Sequence, residues 1–114
     1  MPMFEDRERS FEAKFAHDEE FRFLVAARRD KLFARGVARQ LGLREQGAEE
    51  LAAAALAVPD GPGHDAALLG HMAKVLTEHG RGDRAADLAA LLEDCGMQAR
   101  QQLLAMPTPE PTVR

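Results

Sequence analysis

The side chains in this 114-residue chain that could do chemistry are few and scattered. His17 opens the run HDEE, His17 to Glu20, which lacks the second histidine of the H-E-x-x-H zinc motif. His64, His71 and His79 recur at about two-turn spacing. That is too far apart to share one metal ion without ligands from elsewhere, so they read as polar surface or edge-of-core residues. Cys95 falls at helical spacing from Leu88 and Leu92, which marks a small core residue rather than a nucleophile. As the one cysteine it makes neither an internal disulfide nor a thiolate metal cage, and it fits a reducing compartment. The glycines of PDGPG, Pro59 to Gly63, precede no lysine, so no phosphate-cradling loop is indicated. Without a cluster of acid, base and nucleophile, the chain reads as a protein without enzymatic activity, metal or cofactor.

The remaining chemistry is electrostatic. The net charge of −4 is unevenly spread: residues 1–20 and 45–114 are acidic on balance, whereas 21–44 carry seven bases against one acid. Within that block Arg28, Arg35 and Arg39 form a stripe at i, i+7 and i+11, the pattern of a phosphate-contacting face. The acidic flanks, the lack of aromatic residues interleaving that stripe and a pI of about 5.5 favour internal pairing with acidic helices over nucleic acid.

Composition indicates the elements that must position these residues. Apolar residues make up 46%, much of it alanine, with no Trp, Tyr or Ile, so an all-α protein with closely approaching helices is expected. The charged N-terminus and the absence of a run of about 18 apolar residues speak against a signal peptide or membrane span, and the reading is a cytoplasmic protein. From Glu5 to Leu41 one long helix or two collinear ones are predicted, with acids in the first turn, arginines in the last, Gly42 as the residue after the cap, and Glu5–Arg9 and Asp18–Arg22 as supporting pairs. A second runs from Gln46 to Val58 with Leu51, Ala55 and Val58 on one face, and PDGPG ends it. A third spans His64 to His79 with Leu68, Met72 and Val75 in line. After the turn GRGD, whose Asp83 is a candidate cap, a fourth spans Arg84 to Ala105 with Leu88, Leu92, Cys95, Ala99 and Leu103 in line. Residues 107–114 carry three prolines and read as a disordered tail, leaving residues 21–106 as a four-helix bundle.

The first helix contains a change of phase. At about 100° per residue, Phe4, Phe11 and Phe15 fall within about 40° of one another, while Phe21, Val25 and Leu32 cluster about 80° further round. Either the helix bends or the bundle wraps around it, or residues 1–20 form an arm that projects from the bundle toward a partner. Three exposed phenylalanines would each forgo about 1.5–3 kcal/mol of burial. A projecting arm should therefore be frayed when free and helical in a partner's groove.

At these residues the sequence also resembles a known family. The run FEDRERSFEAKFAHDEEFRF, Phe4 to Phe23, continued by AARRDKL from Ala26 to Leu32, closely resembles the opening of the zeta-subunit family, alphaproteobacterial inhibitor proteins of the F-type ATP synthase. Its core is F-x-x-K-F-A-H-D-E-E, Phe11 to Glu20, and LGL at Leu41 to Leu43 and PGHD at Pro62 to Asp65 look like further landmarks. The resemblance implies a four-helix bundle whose N-terminal segment enters a catalytic interface of the ATPase head and blocks hydrolytic rotation. It implies Phe4, Phe11 and Phe15 as apolar anchors, Glu5, Asp6, Arg7, Glu8, Arg9, Glu12 and Lys14 as charge partners, and His17, Asp18, Glu19 and Glu20 as the joint between arm and bundle. The implied location is peripheral, on the cytoplasmic side of the membrane-bound enzyme, without insertion into the membrane. A pH switch at His17 is a further expectation, against the plainer reading of a solvated polar turn. The alternative within the same structural class is a helical adaptor or assembly protein that does not inhibit.

Overall fold

The computed structural model of the chain describes the backbone of residues 3–106 and the side chains of residues 18–106. The expected tail, residues 107–114, and the arm side chains up to His17 lie outside the described residues. So does the expected Glu5–Arg9 pair.

Four α-helices and no strand make up the described chain: α1 Met3–Gln40, α2 Glu45–Leu56, α3 His64–Glu78 and α4 Leu88–Ala105, with a 3-10 helix over Gly82–Asp87 before α4. The fold is a four-helix bundle, and no helix among the described residues is long and apolar enough to cross a membrane.

Helix ends follow local chemistry. Gly42 adopts φ +67° and donates to the Arg39 carbonyl at 3.1 Å, while the Leu43 N–H reaches back to the Ala38 carbonyl at 3.0 Å. This paired closure needs a left-handed residue, the role expected of Gly42. Gly80, at φ +75°, closes α3 in the same way, with the Arg81 N–H 2.7 Å from the Leu76 carbonyl. The start of α4 differs from expectation. Asp83 caps nothing, because it lies inside the 3-10 helix, and α4 begins four residues later than predicted. The 3-10 helix packs across α3 with Ala85 against the core margin, so packing sets where the α-helix starts.

The core is small-residue packing around a few larger side chains. Phe33, Ala34 and Val37 of α1 meet Ala52 and Ala55 of α2, Leu68, Met72 and Leu76 of α3, and Leu88, Leu92 and Cys95 of α4. Ala99 is also fully buried. The expected faces of α2 and α4 are the buried ones, with Leu51, Val58 and Leu103 at their margins. On α3 the stripe runs through Leu76, and Val75 is half-buried. Gly36 is one point of close approach between α1 and α4: a Cβ there would lie 3.4 Å from Leu91.

α1 itself serves two faces. Phe21 and Val25 are half-buried, Leu32 packs on the core margin, and on that side α4 brings the Arg100 guanidinium over the Phe21 ring at 5.5 Å from its centroid. The most deeply buried α1 positions, Phe33 and Val37, lie about 100–140° round from that stripe and enter the shared core. Phe33 falls within about 20° of the stripe formed by Phe4, Phe11 and Phe15. A change of phase is thus present within residues 21–40 alone, because α1 packs against both α2 and α4. The phase break does not by itself mark where an arm would end.

Candidate functional site

At the joint, Asp18, Glu19 and Glu20 are exposed on α1, and among the described residues the expected Asp18–Arg22 pair is not formed. The expected arm residues Phe4, Glu5, Asp6, Arg7, Glu8, Arg9, Phe11, Glu12, Lys14 and Phe15, and the joint residue His17, belong to the part of α1 whose side chains lie outside the described residues. Phe23 and Leu24, one turn beyond the joint, are exposed apolar side chains on the same helix.

The arginine stripe is largely used internally. Arg28 donates to the Gln102 Oε1 of α4 at 2.7 Å, and Arg35 pairs with Glu45 of α2 at 3.5 Å. Arg29 forms a fork to Asp65, with Nη2 2.8 Å from Oδ1 and Nη1 3.3 Å from Oδ2. This internal pairing removes most of the stripe that suggested phosphate contact.

The densest polar cluster is a corner where α1 meets the start of α3. Asp30, the one acid in the basic block, is the only buried charged residue among the described residues, at 3% exposure. Its Oδ1 accepts from Arg29 Nε at 2.9 Å, and its Oδ2 lies 2.6 Å from His64 Nε2. The other ring nitrogen of His64 lies 3.0 Å from the Pro59 carbonyl. Burial works against the charged ring. The bonds to Pro59 and Asp30, with the charges of Asp30 and Asp65, outweigh it and raise the His64 pKa above its ordinary value. The hydrogen bonds from Arg29 lower the Asp65 pKa. Sequence reading singled out Pro62 to Asp65 as a landmark and missed its partner. The available signal was Asp30 standing alone among seven bases.

Beside this corner an open groove of about 740 Å³ runs between α1, α3 and α4, lined by Arg29, Asp65, Leu69, Glu93, Met97 and Arg100 among others. Cys95 is buried, and burial raises its thiol pKa, consistent with packing rather than reactivity. The other histidines serve elsewhere: His79 Nδ1 lies 2.9 Å from the Val75 carbonyl, and His71 is half-buried. The described residues hold no group of three or more metal-ligating side chains.

No curated protein and no solved structure matches the chain significantly. The family model for ATPase inhibitor subunit zeta matches residues 1–102, which covers all four helices to the last turn of α4 together with the Phe4–Leu32 run and the PGHD corner. A match of that extent, on an all-helical bundle opening with a 38-residue helix, places the chain in the ATPase inhibitor subunit zeta family.

Proposed function

We propose that this protein is a regulatory inhibitor of the F-type ATP synthase, acting from the cytoplasmic side by inserting the N-terminal part of α1 into a catalytic interface of the ATPase head. The observation that carries the reading is the family match over residues 1–102, whose N-terminal part includes the specific run from Phe11 to Glu20. Two physical features support it. α1 is about 57 Å long at 1.5 Å per residue, about twice the length of α4, the next longest helix described. Residues 1–20 combine three phenylalanines at helical spacing with alternating acids and bases, the composition of a helix that docks in a groove.

In this mechanism Phe4, Phe11 and Phe15 are the apolar anchors. Glu5, Asp6, Arg7, Glu8, Arg9, Glu12 and Lys14 pair with charges lining the cleft, and His17 to Glu20 form the joint. The protein makes and breaks no bond: it occupies an interface that must move during hydrolysis, so blocking follows from occupancy alone.

ATP hydrolysis by the isolated catalytic head tests this, comparing the full chain with a variant lacking residues 1–20. Inhibition by the full chain and none by the shortened one is the expected outcome. Equal inhibition by both removes the arm from the mechanism, and no inhibition by either favours an adaptor or assembly role in the same complex.

A further inference from the structure

The corner around Asp30 has a proton count that can be read from its geometry. A carbonyl oxygen only accepts, so His64 Nδ1, 3.0 Å from the Pro59 oxygen, must carry a hydrogen. On the other side Nε2 lies 2.6 Å from Asp30 Oδ2, and that contact also needs a proton between the two atoms. The second Asp30 oxygen already accepts from Arg29, so the carboxyl has a cationic donor on one side and the imidazole on the other. With a hydrogen on each nitrogen the imidazole donates to both acceptors at once.

We propose that the Asp30–His64 contact is a proton-gated latch, which holds the α2–α3 connection and the first turn of α3 against α1 while the imidazole carries both protons and releases that corner when one is lost.

The charges around the ring agree with this. From α1 come the Asp30 carboxyl and the Arg29 guanidinium, and from α3 itself the Asp65 carboxyl. The connection supplies the Pro59 carbonyl, followed by exposed Asp60, and α4 brings Glu93 and Arg100 to the groove beside Arg29 and Asp65. At the ring the two acids Asp30 and Asp65 balance two cations, Arg29 and His64. Loss of one His64 proton leaves one negative charge in excess beside an Asp30 side chain that is 5% exposed, and leaves one ring nitrogen facing an acceptor, the Pro59 carbonyl or Asp30 Oδ2, with no hydrogen between them.

The direction of the pH dependence follows. A histidine whose folded pKa is raised contributes its stabilisation fully below the unfolded value of about 6.5 and loses it as pH rises through the higher folded value. The latch thus weakens toward alkaline pH. It depends neither on the arm nor on inhibition, and it is distinct from the expected switch at His17.

NMR on the full-length chain tests it through two readouts. The His64 ring resonances should titrate above free histidine, and that midpoint should fall in Asp30→Asn. Amide exchange over residues 58–66, corrected for intrinsic chemistry, should report opening that increases by up to tenfold per pH unit above the ordinary histidine range, the limit for one proton. In His64→Gln, which keeps a side-chain donor without a titration in this range, the same amides should show no such slope. A His64 midpoint at or below that of free histidine overturns the proposal, and so does a wild-type slope as flat as that of His64→Gln. Should Asp30→Asn fail to fold, the wild-type and His64→Gln measurements decide alone.

Discussion

The fork from Arg29 to Asp65 places two N–H groups on one carboxyl, and this favours the ionised form even though the Asp65 side chain is 59% exposed. The Asp65 carboxyl resonance should therefore titrate below its reference value of 3.8 and return toward it in Arg29→Gln. A lowered carboxyl contributes stability that is present above the unfolded pKa and lost as pH falls through the folded one, so this contribution disappears in acid while that of His64 disappears in base. The two neighbours on α3 thus respond to opposite ends of the pH range. Cys95 makes a second prediction at this scale. Buried at 5% exposure, with its pKa raised by burial, it should react with a thiol reagent far more slowly than free cysteine at pH 8 and at the free rate once urea unfolds the bundle. Part of this was legible in the sequence: Cys95 as core, Arg35 as paired with an acidic helix, and, through the family resemblance, Pro62 to Asp65 as a landmark, whereas Arg28 bonds the neutral Gln102. Asp30 was not, because a lone acid in a basic run looks like charge balance until the fold brings a histidine from 34 positions away onto it.

At the scale of elements, turns and crossings set the order. Gly42 holds a left-handed backbone with open space around it, so Gly42→Ala meets no clash and only conformational strain. A loss of about 1 kcal/mol in urea unfolding is expected, with the slope unchanged. Gly36 is the converse, a helical glycine limited by its neighbour. Gly36→Ala should be near neutral, since a Cβ 3.4 Å from Leu91 is close contact offset by better helix propensity, whereas Gly36→Leu should cost about 1–3 kcal/mol by forcing α1 and α4 apart. Glycine placement showed both points in the sequence, but only the Gly42 turn was readable there, because a turn is local and a crossing depends on where the second helix lies. The same limit explains α4. Its buried face was read correctly and its start was misplaced, since the 3-10 helix answers to packing against α3 and the Asp83 side chain does not decide it.

For the whole molecule, the core is one cluster shared by all four helices, so its largest members should report global stability. Phe33→Ala should cost about 3–5 kcal/mol and Met72→Ala about 2–5, both measured by urea unfolding. Under the projecting arm proposed above, removing residues 1–20 should leave that stability within about 0.5 kcal/mol, since such an arm packs on no bundle helix. A large loss on truncation would mean that the bundle uses the N-terminal helix as a wall.

Periodicity, composition and turn residues determined by themselves that this chain is an all-helical bundle and that its helices end at Gly42 and Gly80; the family resemblance rested separately on the residues of the opening run. These are properties of short stretches, fixed by backbone geometry and by side chains a turn or two apart. Only the tertiary structure decided that α1 buries Phe33 and Val37 on one side while its Phe21–Leu32 stripe faces another, and that Asp30 and His64 meet at 2.6 Å. Both depend on which helix lies across from α1, and burial there gives an acid and a histidine 34 residues apart a bond that neither stretch encodes alone.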